Sequence, residues 1–151
     1  MKLEFSGSPT IDAPRERVWE RLMDPNFVAQ SAPGVESVEA IDPTHFKVIS
    51  GFGVGSIKVR FAMNVELFDI VDRERAKMRI RGKAPGSAID VVSSMQINDA
   101  GQGSSHLHWS ATSEVSGTVA SVGARLMEGT ARKLTEQFWT DFARRVSQED
   151  R

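Results

Sequence analysis

Thr10-Ile11-Asp12-Ala13-Pro14-Arg15-Glu16-Arg17-Val18-Trp19 carries a strand straight into a helix. A proline at the first helical position gives up only an N–H that the helix leaves unpaired anyway, so Pro14 marks the start, with Asp12 or Ala13 as the expected cap. Val18, Trp19, Leu22 and Met23 then form one apolar face at helical spacing. Asp24-Pro25 stops this helix, because proline disfavours helical backbone in the residue before it. A second short helix, Pro25 to Gln30, presents Phe27 and Val28, and Ala32-Pro33-Gly34 turns the chain. At the far end Ser121-Val122-Gly123-Ala124-Arg125-Leu126-Met127 opens a long amphipathic segment that continues to Phe142.

Between these ends the apolar period is two. Leu3, Phe5 and Ile11 mark a first strand interrupted around Gly7 and Pro9, as suits an edge or bulge. Val35 to Ile41 and Thr44 to Ser50 flank an Asp42-Pro43 turn and read as a hairpin. Ile57, Val59, Phe61, Met63, Val65 and Leu67 alternate with mostly polar neighbours in the clearest strand of the protein. Met78 and Ile80 follow on the inner face, then Ile89, Val91, Met95 and Ile97, then Leu107, Trp109, Ala111 and Val115. The sheet therefore has about seven antiparallel strands with one apolar and one charged face. The final segment, about residues 118 to 146, is long enough as a helix (about 42 Å) to cross it. Its first half is built from small residues and leaves room beneath, whereas Leu134, Phe138, Trp139 and Phe142 are expected to plug one end. The fold class is α+β: a curved antiparallel sheet wrapped around a long C-terminal helix, with two short helices after the first strand. A single helix-grip domain is expected over residues 1–147, with a short polar tail at 148–151.

Composition bounds the function. The chain has 151 residues and a net charge of −1, which argues against a dedicated nucleic-acid binder. It has no cysteine, which removes disulfides, thiolate metal sites and cysteine nucleophiles. The first ten residues are polar and alternating, unlike a signal peptide, and no run approaches the ~18 apolar residues of a membrane span. The expected location is cytoplasmic, compatible with a peripheral place at the inner membrane face.

The order strand, two short helices, six strands and long helix resembles the START-like superfamily, also called SRPBCC or birch-pollen-allergen-like. Within it, the stretch Thr10 to Trp19, Pro33-Gly34-Val35-Glu36-Ser37, Arg60-Phe61 and Gly129-Thr130-Ala131-Arg132-Lys133-Leu134-Thr135-Glu136-Gln137-Phe138 resemble the carbon monoxide dehydrogenase G-subunit family. The resemblance covers nearly the whole chain. It implies a non-catalytic accessory role beside a molybdenum hydroxylase, associated with membrane attachment of that enzyme. Longer members carry an apolar C-terminal anchor. This chain ends Val146-Ser147-Gln148-Glu149-Asp150-Arg151, so at most a transient membrane-surface contact is expected.

The residues make their own case for a binder. Met63, Met78 and Met95 fall on the inner face of three successive strands, with Met127 on the helix stripe opposite. Flexible, polarisable thioethers suit surfaces that adapt to an apolar guest, although methionine is also an ordinary gap filler. The expected cavity lining is Phe27, Val28, Phe61, Met63, Met78, Ile80, Ile89, Val91, Met95, Trp109, Val122, Leu126 and Met127. In-phase polar groups are limited to Ser93, Ser105 and Ser113, with no inward Asp, Glu, His or Lys. General acid–base catalysis needs converging titratable groups, so no catalytic residue is assigned and no cofactor is expected. A small polyketide-cyclase-like enzyme would require Asp90 or His108 to face inward.

Other features have plain readings. His106 and His108 could in principle join His45 at a metal, but they are out of phase with Leu107 and Trp109 and point to solvent, so no metal site is assigned. Gly51-Phe52-Gly53-Val54-Gly55 precedes a strand, where a phosphate loop would open a helix, and reads as a turn or bulge. Lys58, Arg60, Lys77, Arg79, Arg81 and Lys83 point outward on two adjacent strands and make residues 54–84 net basic. That face is either solvated, with Glu66 pairing Arg79, or a docking surface for an acidic partner or anionic lipid. Gly123 and Gly129 interrupt the final helix, at about 1 kcal/mol each relative to alanine. The expected function is binding of a hydrophobic small molecule, a quinone or lipid, beside a carbon monoxide dehydrogenase-type molybdenum hydroxylase. The two short helices, with Phe27 and Val28, would form the gate. A ligand-free assembly or docking factor is the alternative.

Overall fold

The turns at Asp42-Pro43-Thr44, Asp72-Arg73-Glu74 and Gly101-Gln102-Gly103 fold one antiparallel sheet back on itself. A computed structural model describes residues 1–149. In chain order it contains β1 (Lys2–Gly7), β2 (Thr10–Ile11), α1 (Arg15–Leu22), α2 (Pro25–Ser31), β3 (Val35–Asp42), β4 (His45–Val54), β5 (Ile57–Val71) and β6 (Arg75–Ala84). β7 (Ser87–Gly101), β8 (Ser104–Gly117), a 3₁₀ turn (Thr118–Val122) and α3 (Ala124–Gln148) complete it. The strand order is β1-β8-β7-β6-β5-β4-β3, with β2 also on β8. The α+β helix-grip class is thus realised: the curved sheet wraps α3, and α1 and α2 follow the first strands. Of the expected polar tail, Gln148 still belongs to α3 and Glu149 pairs with Arg21 at 2.7 Å. Residues 150–151 lie outside the described residues.

Local chemistry departs from expectation at Pro14 and Gly123, and adds a cap at Asp24. Pro14 is itself the cap of α1, with extended backbone and no side-chain capping bond. Its fixed φ fits an N-cap as well as a first turn. α2 is capped by Asp24, whose carboxylate accepts from the N–H groups of Asn26 and Phe27 at 3.0 and 3.3 Å. Gly123 does not interrupt a helix. It separates the 3₁₀ turn from α3 at φ +99°, a backbone conformation that glycine holds without strain, so the helix-interior penalty applies only to Gly129.

Apolar residues collect at the two ends of α3. One cluster joins Ile11, Val18, Trp19, Leu22, Ile97, Leu107, Phe142 and Val146 beneath α1 and the last turns of α3. The other joins Leu3, Val54, Val59, Phe61, Val115, Val119 and Met127 beneath the 3₁₀ turn and the first turns of α3.

Candidate ligand cavity

Where the inner face meets the middle of α3, side chains do not fill the space. A cavity of about 400 Å³ remains there, within the size range of small-molecule sites. β4 to β6 expose to it every second residue, as the pleat requires: Phe46 and Val48 from β4, Met63, Val65 and Leu67 from β5, and Met78 and Ile80 from β6. β3 adds Val35 and Val38, three apart because the register shifts between Val35 and Ser37. β7 adds Val91, Ser93 and Met95, and β8 adds Trp109 and Ala111. Leu22, Met23, Pro25, Val28, Ala29, Ala32 and Pro33 close the side of α1 and α2, and Leu134, Thr135, Phe138 and Trp139 close the side of α3.

Seven of the residues expected to line a cavity are on this wall: Val28, Met63, Met78, Ile80, Val91, Met95 and Trp109. Six are not. Phe61 and Met127 are buried in the far apolar cluster, and Ile89 and Val122 pack against it. Phe61 and Ile89 share the strand phase of the lining residues and Met127 the helix phase, but they sit where the 3₁₀ turn that carries Val122 closes the sheet. Leu126 is 42% exposed. Phe27 turns away, edge-on to Phe142 at 5.7 Å and under the Arg145 guanidinium at 3.9 Å. The expectation for α3 is also redistributed. Its second half walls the cavity with Leu134, Thr135, Phe138 and Trp139, while Met127 and Phe142 fill opposite ends.

The lining that sequence reading missed comes chiefly from the first hairpin and from α1 and α2. Val48 pairs with Met63 and Phe46 with Val65 across β4 and β5, so their inward phase followed from strand pairing. The α2 residues carried no such periodicity.

The cavity wall includes no Asp, Glu, His, Lys or Arg. Thr135 donates its hydroxyl to the Ala131 carbonyl at 2.7 Å. Ser93 is only 7% exposed and no side-chain hydrogen bond ties it to the described residues. The outer face holds the titratable groups instead. His106 and His108 meet Thr10 and Ser8, each at 3.0 Å. Asp90 pairs with Arg79 at 2.9 Å, and that guanidinium holds the carboxyl below its usual range. Glu66 therefore does not take the Arg79 partnership expected for it, although the two are in register. It meets His45 at 3.2 Å, and Asp42 holds the same ring at 2.9 Å. The geometry of these acids and histidines gives no metal-binding group among the described residues.

On the basic face Arg60 pairs with Glu36 at 2.9 Å and Lys77 with Asp69 at 3.5 Å. Lys58, Arg81 and Lys83 have no ion pair among the described residues. An outer groove of about 800 Å³ crosses Ser6, Ser94, Ser110, Lys77 and His108. That groove is a mixed wall that also includes Ile70 and Val71, whereas the cavity under α3 is almost wholly apolar, so the cavity is the stronger ligand site. No helix among the described residues is long and apolar enough to cross a membrane.

α2 is held from outside by Arg145 of α3. The guanidinium donates to the Phe27 carbonyl at 2.8 Å, to the Gln30 side chain at 2.8 Å and to the Ser31 hydroxyl. It also lies over the Phe27 ring. One side chain thus fastens the helix whose other face carries Val28 and Ala29 into the cavity.

Residues 7–147 match the family model for the carbon monoxide dehydrogenase G-subunit (CoxG). No curated protein matches the chain. Among solved structures, a conserved protein from Geobacillus kaustophilus superposes with a TM-score of 0.90 at 23% identity, covering 97% of this chain and 96% of that one. The Zhui aromatase/cyclase from Streptomyces sp. R1128 gives 0.76 at 15% identity, covering 100% and 97%. A START superfamily protein from Mycobacterium smegmatis gives 0.73 at 12% identity, covering 96% and 97%. These structural likenesses establish a shared fold.

Proposed function

The chain belongs to the carbon monoxide dehydrogenase G-subunit (CoxG) family, and from that premise we propose that it is a non-catalytic binder of a hydrophobic small molecule serving a molybdenum hydroxylase of the carbon monoxide dehydrogenase type. One observation carries the reading: a cavity of about 400 Å³ whose lining includes no ionisable side chain. Such a wall favours apolar cargo, since burial releases about 25 cal/mol per Å² before the cost of ordering the guest. It also lacks the converging acid and base that proton transfer needs. A quinone or a lipid fits both the wall and a redox partner. α2, fastened by Arg145, is the gate.

The experiment is mass spectrometry of protein purified gently from its own host, native and then after solvent extraction. A stoichiometric quinone or lipid adduct is the expected result. A clean apo mass, with no uptake from a lipid and quinone extract, overturns the carrier reading.

The basic face favours a second reading, a docking factor that holds no ligand. Lys58, Arg81 and Lys83 are free of intramolecular ion pairs among the described residues and so are available to an acidic surface. Charge reversal at Arg81 and Lys83 would then abolish capture of the partner enzyme, while a blocked cavity would not.

A further inference from the structure

We propose that Ser93 is the polar anchor of the cavity and selects apolar guests that carry a carbonyl or hydroxyl oxygen over plain hydrocarbons. The inference rests on the ligand-binding reading above and deepens it to a ligand class.

Ser93 stands out among the buried serines. Ser105 donates to the Ala13 carbonyl at 2.7 Å, and Ser31 is bonded by Arg145. Ser50 has no such bond either, but it does not line the cavity. The Ser93 hydroxyl lines it with no protein partner among the described residues. The hydroxyl is open to the cavity, so whatever occupies that space is what meets it, and a guest oxygen can take its proton without breaking a protein hydrogen bond.

The surroundings define what should meet it. On β7, Ser93 lies between Val91 and Met95, and its cross-strand neighbours are Met78 and Ala111. All four line the cavity, so the hydroxyl is one polar point in an apolar field. The other cavity hydroxyl, on Thr135, already spends its proton on Ala131. Next along the wall Met95 pairs with Trp109, which stacks on Trp139 with ring centroids 6.0 Å apart. A flat ring can lie against that aromatic surface while its oxygen accepts from Ser93.

The test uses the full chain and two probes of one skeleton, 9-fluorenone and fluorene, measured by calorimetry and, for the ketone, by the infrared carbonyl stretch. The wild type should bind fluorenone about two- to tenfold more tightly, the range that one neutral hydrogen bond supports. The bound carbonyl stretch should fall in frequency. Ser93→Ala should erase both effects and leave fluorene affinity unchanged. Equal binding of the two probes, or an unshifted carbonyl in the wild type, overturns the role of Ser93 and leaves the cavity reading standing. Binding of neither probe removes the cavity reading and this inference with it. The wild-type comparison and the carbonyl frequency decide the matter even if the variant folds poorly.

Discussion

Trp109 of β8 and Trp139 of α3 stack with centroids 6.0 Å apart and planes 23° from parallel, so the sheet and the helix meet ring to ring at the cavity wall. Phe138 meets Trp139 edge-on at 4.8 Å. The third tryptophan, Trp19, is buried in the cluster under α1 and does not line the cavity. Displacing water from the cavity makes the surroundings of Trp109 and Trp139 less polar. Addition of decanol should therefore shift tryptophan emission to the blue, and Trp19→Phe should keep that response. A double replacement of Trp109 and Trp139 by phenylalanine should abolish it. A response that survives in the double variant would place the guest elsewhere.

Blocking the cavity separates binding from folding. Ala111 faces the space from β8 beside Ser93, and Ala111→Leu adds a branched apolar side chain where nothing has to be displaced. Overpacking a filled core costs about 1–3 kcal/mol, whereas filling an existing void costs little or stabilises. The expected outcome is a melting temperature unchanged or raised, with decanol and fluorenone uptake weakened. Unchanged affinity at an unchanged melting temperature would mean that the guest sits away from β8.

Much of this was legible because period-two alternation survives wherever one sheet face is dry. Phase alone puts Met63, Met78, Val91, Met95 and Trp109 on the inner face, and the structure has all five on the cavity wall. Phase says nothing of position along a strand. Phe61 and Ile89 share the phase of Met63 and Val91, yet they lie at the end closed by Met127 and Val119. Phe27 could not be read correctly either. Its orientation depends on Arg145, 118 residues away in sequence, and helix periodicity over seven residues of α2 cannot show a partner that distant. The Asp42–His45–Glu66 cluster was missed for a related reason. Register puts Glu66 opposite both His45 and Arg79, and only side-chain geometry decides between them.

Arg145 should control how readily α2 opens. Arg145→Ala removes bonds to Phe27, Gln30 and Ser31 and the contact over the Phe27 ring. Hydrogen bonds from a charged donor contribute about 1.5–3 kcal/mol, and a partly exposed cation–π contact about 0.5–1 kcal/mol. A loss of about 2 kcal/mol in stability is expected, because solvation recovers some of this. Hydrogen exchange should show faster opening confined to residues 25–32, with faster uptake and release of decanol. Uniform loss of protection across β5 to β8 instead would mean that Arg145 supports the whole core and not the gate.

His45 gives the protein a local pH response on the outer face. The ring nitrogens meet Asp42 at 2.9 Å and Glu66 at 3.2 Å. The bond to Asp42, ahead of the smaller contribution of Glu66, raises the imidazole above its ordinary value, and the bond to His45 lowers Asp42. A raised histidine contributes stability that is complete below its unfolded value of about 6.5 and is lost as pH climbs through the raised folded value. A lowered aspartate contributes above its unfolded value of about 3.9 and loses that contribution as pH falls through the lowered one. The tie among β3, β4 and β5 is therefore strongest at mildly acidic pH and weakens on either side. Proton NMR should give His45 a midpoint above that of an unperturbed histidine. Asp42→Asn should bring it down further than Glu66→Gln does, because the shorter bond is the larger cause. A wild-type midpoint at the unperturbed value would show that solvent dissolves this cluster.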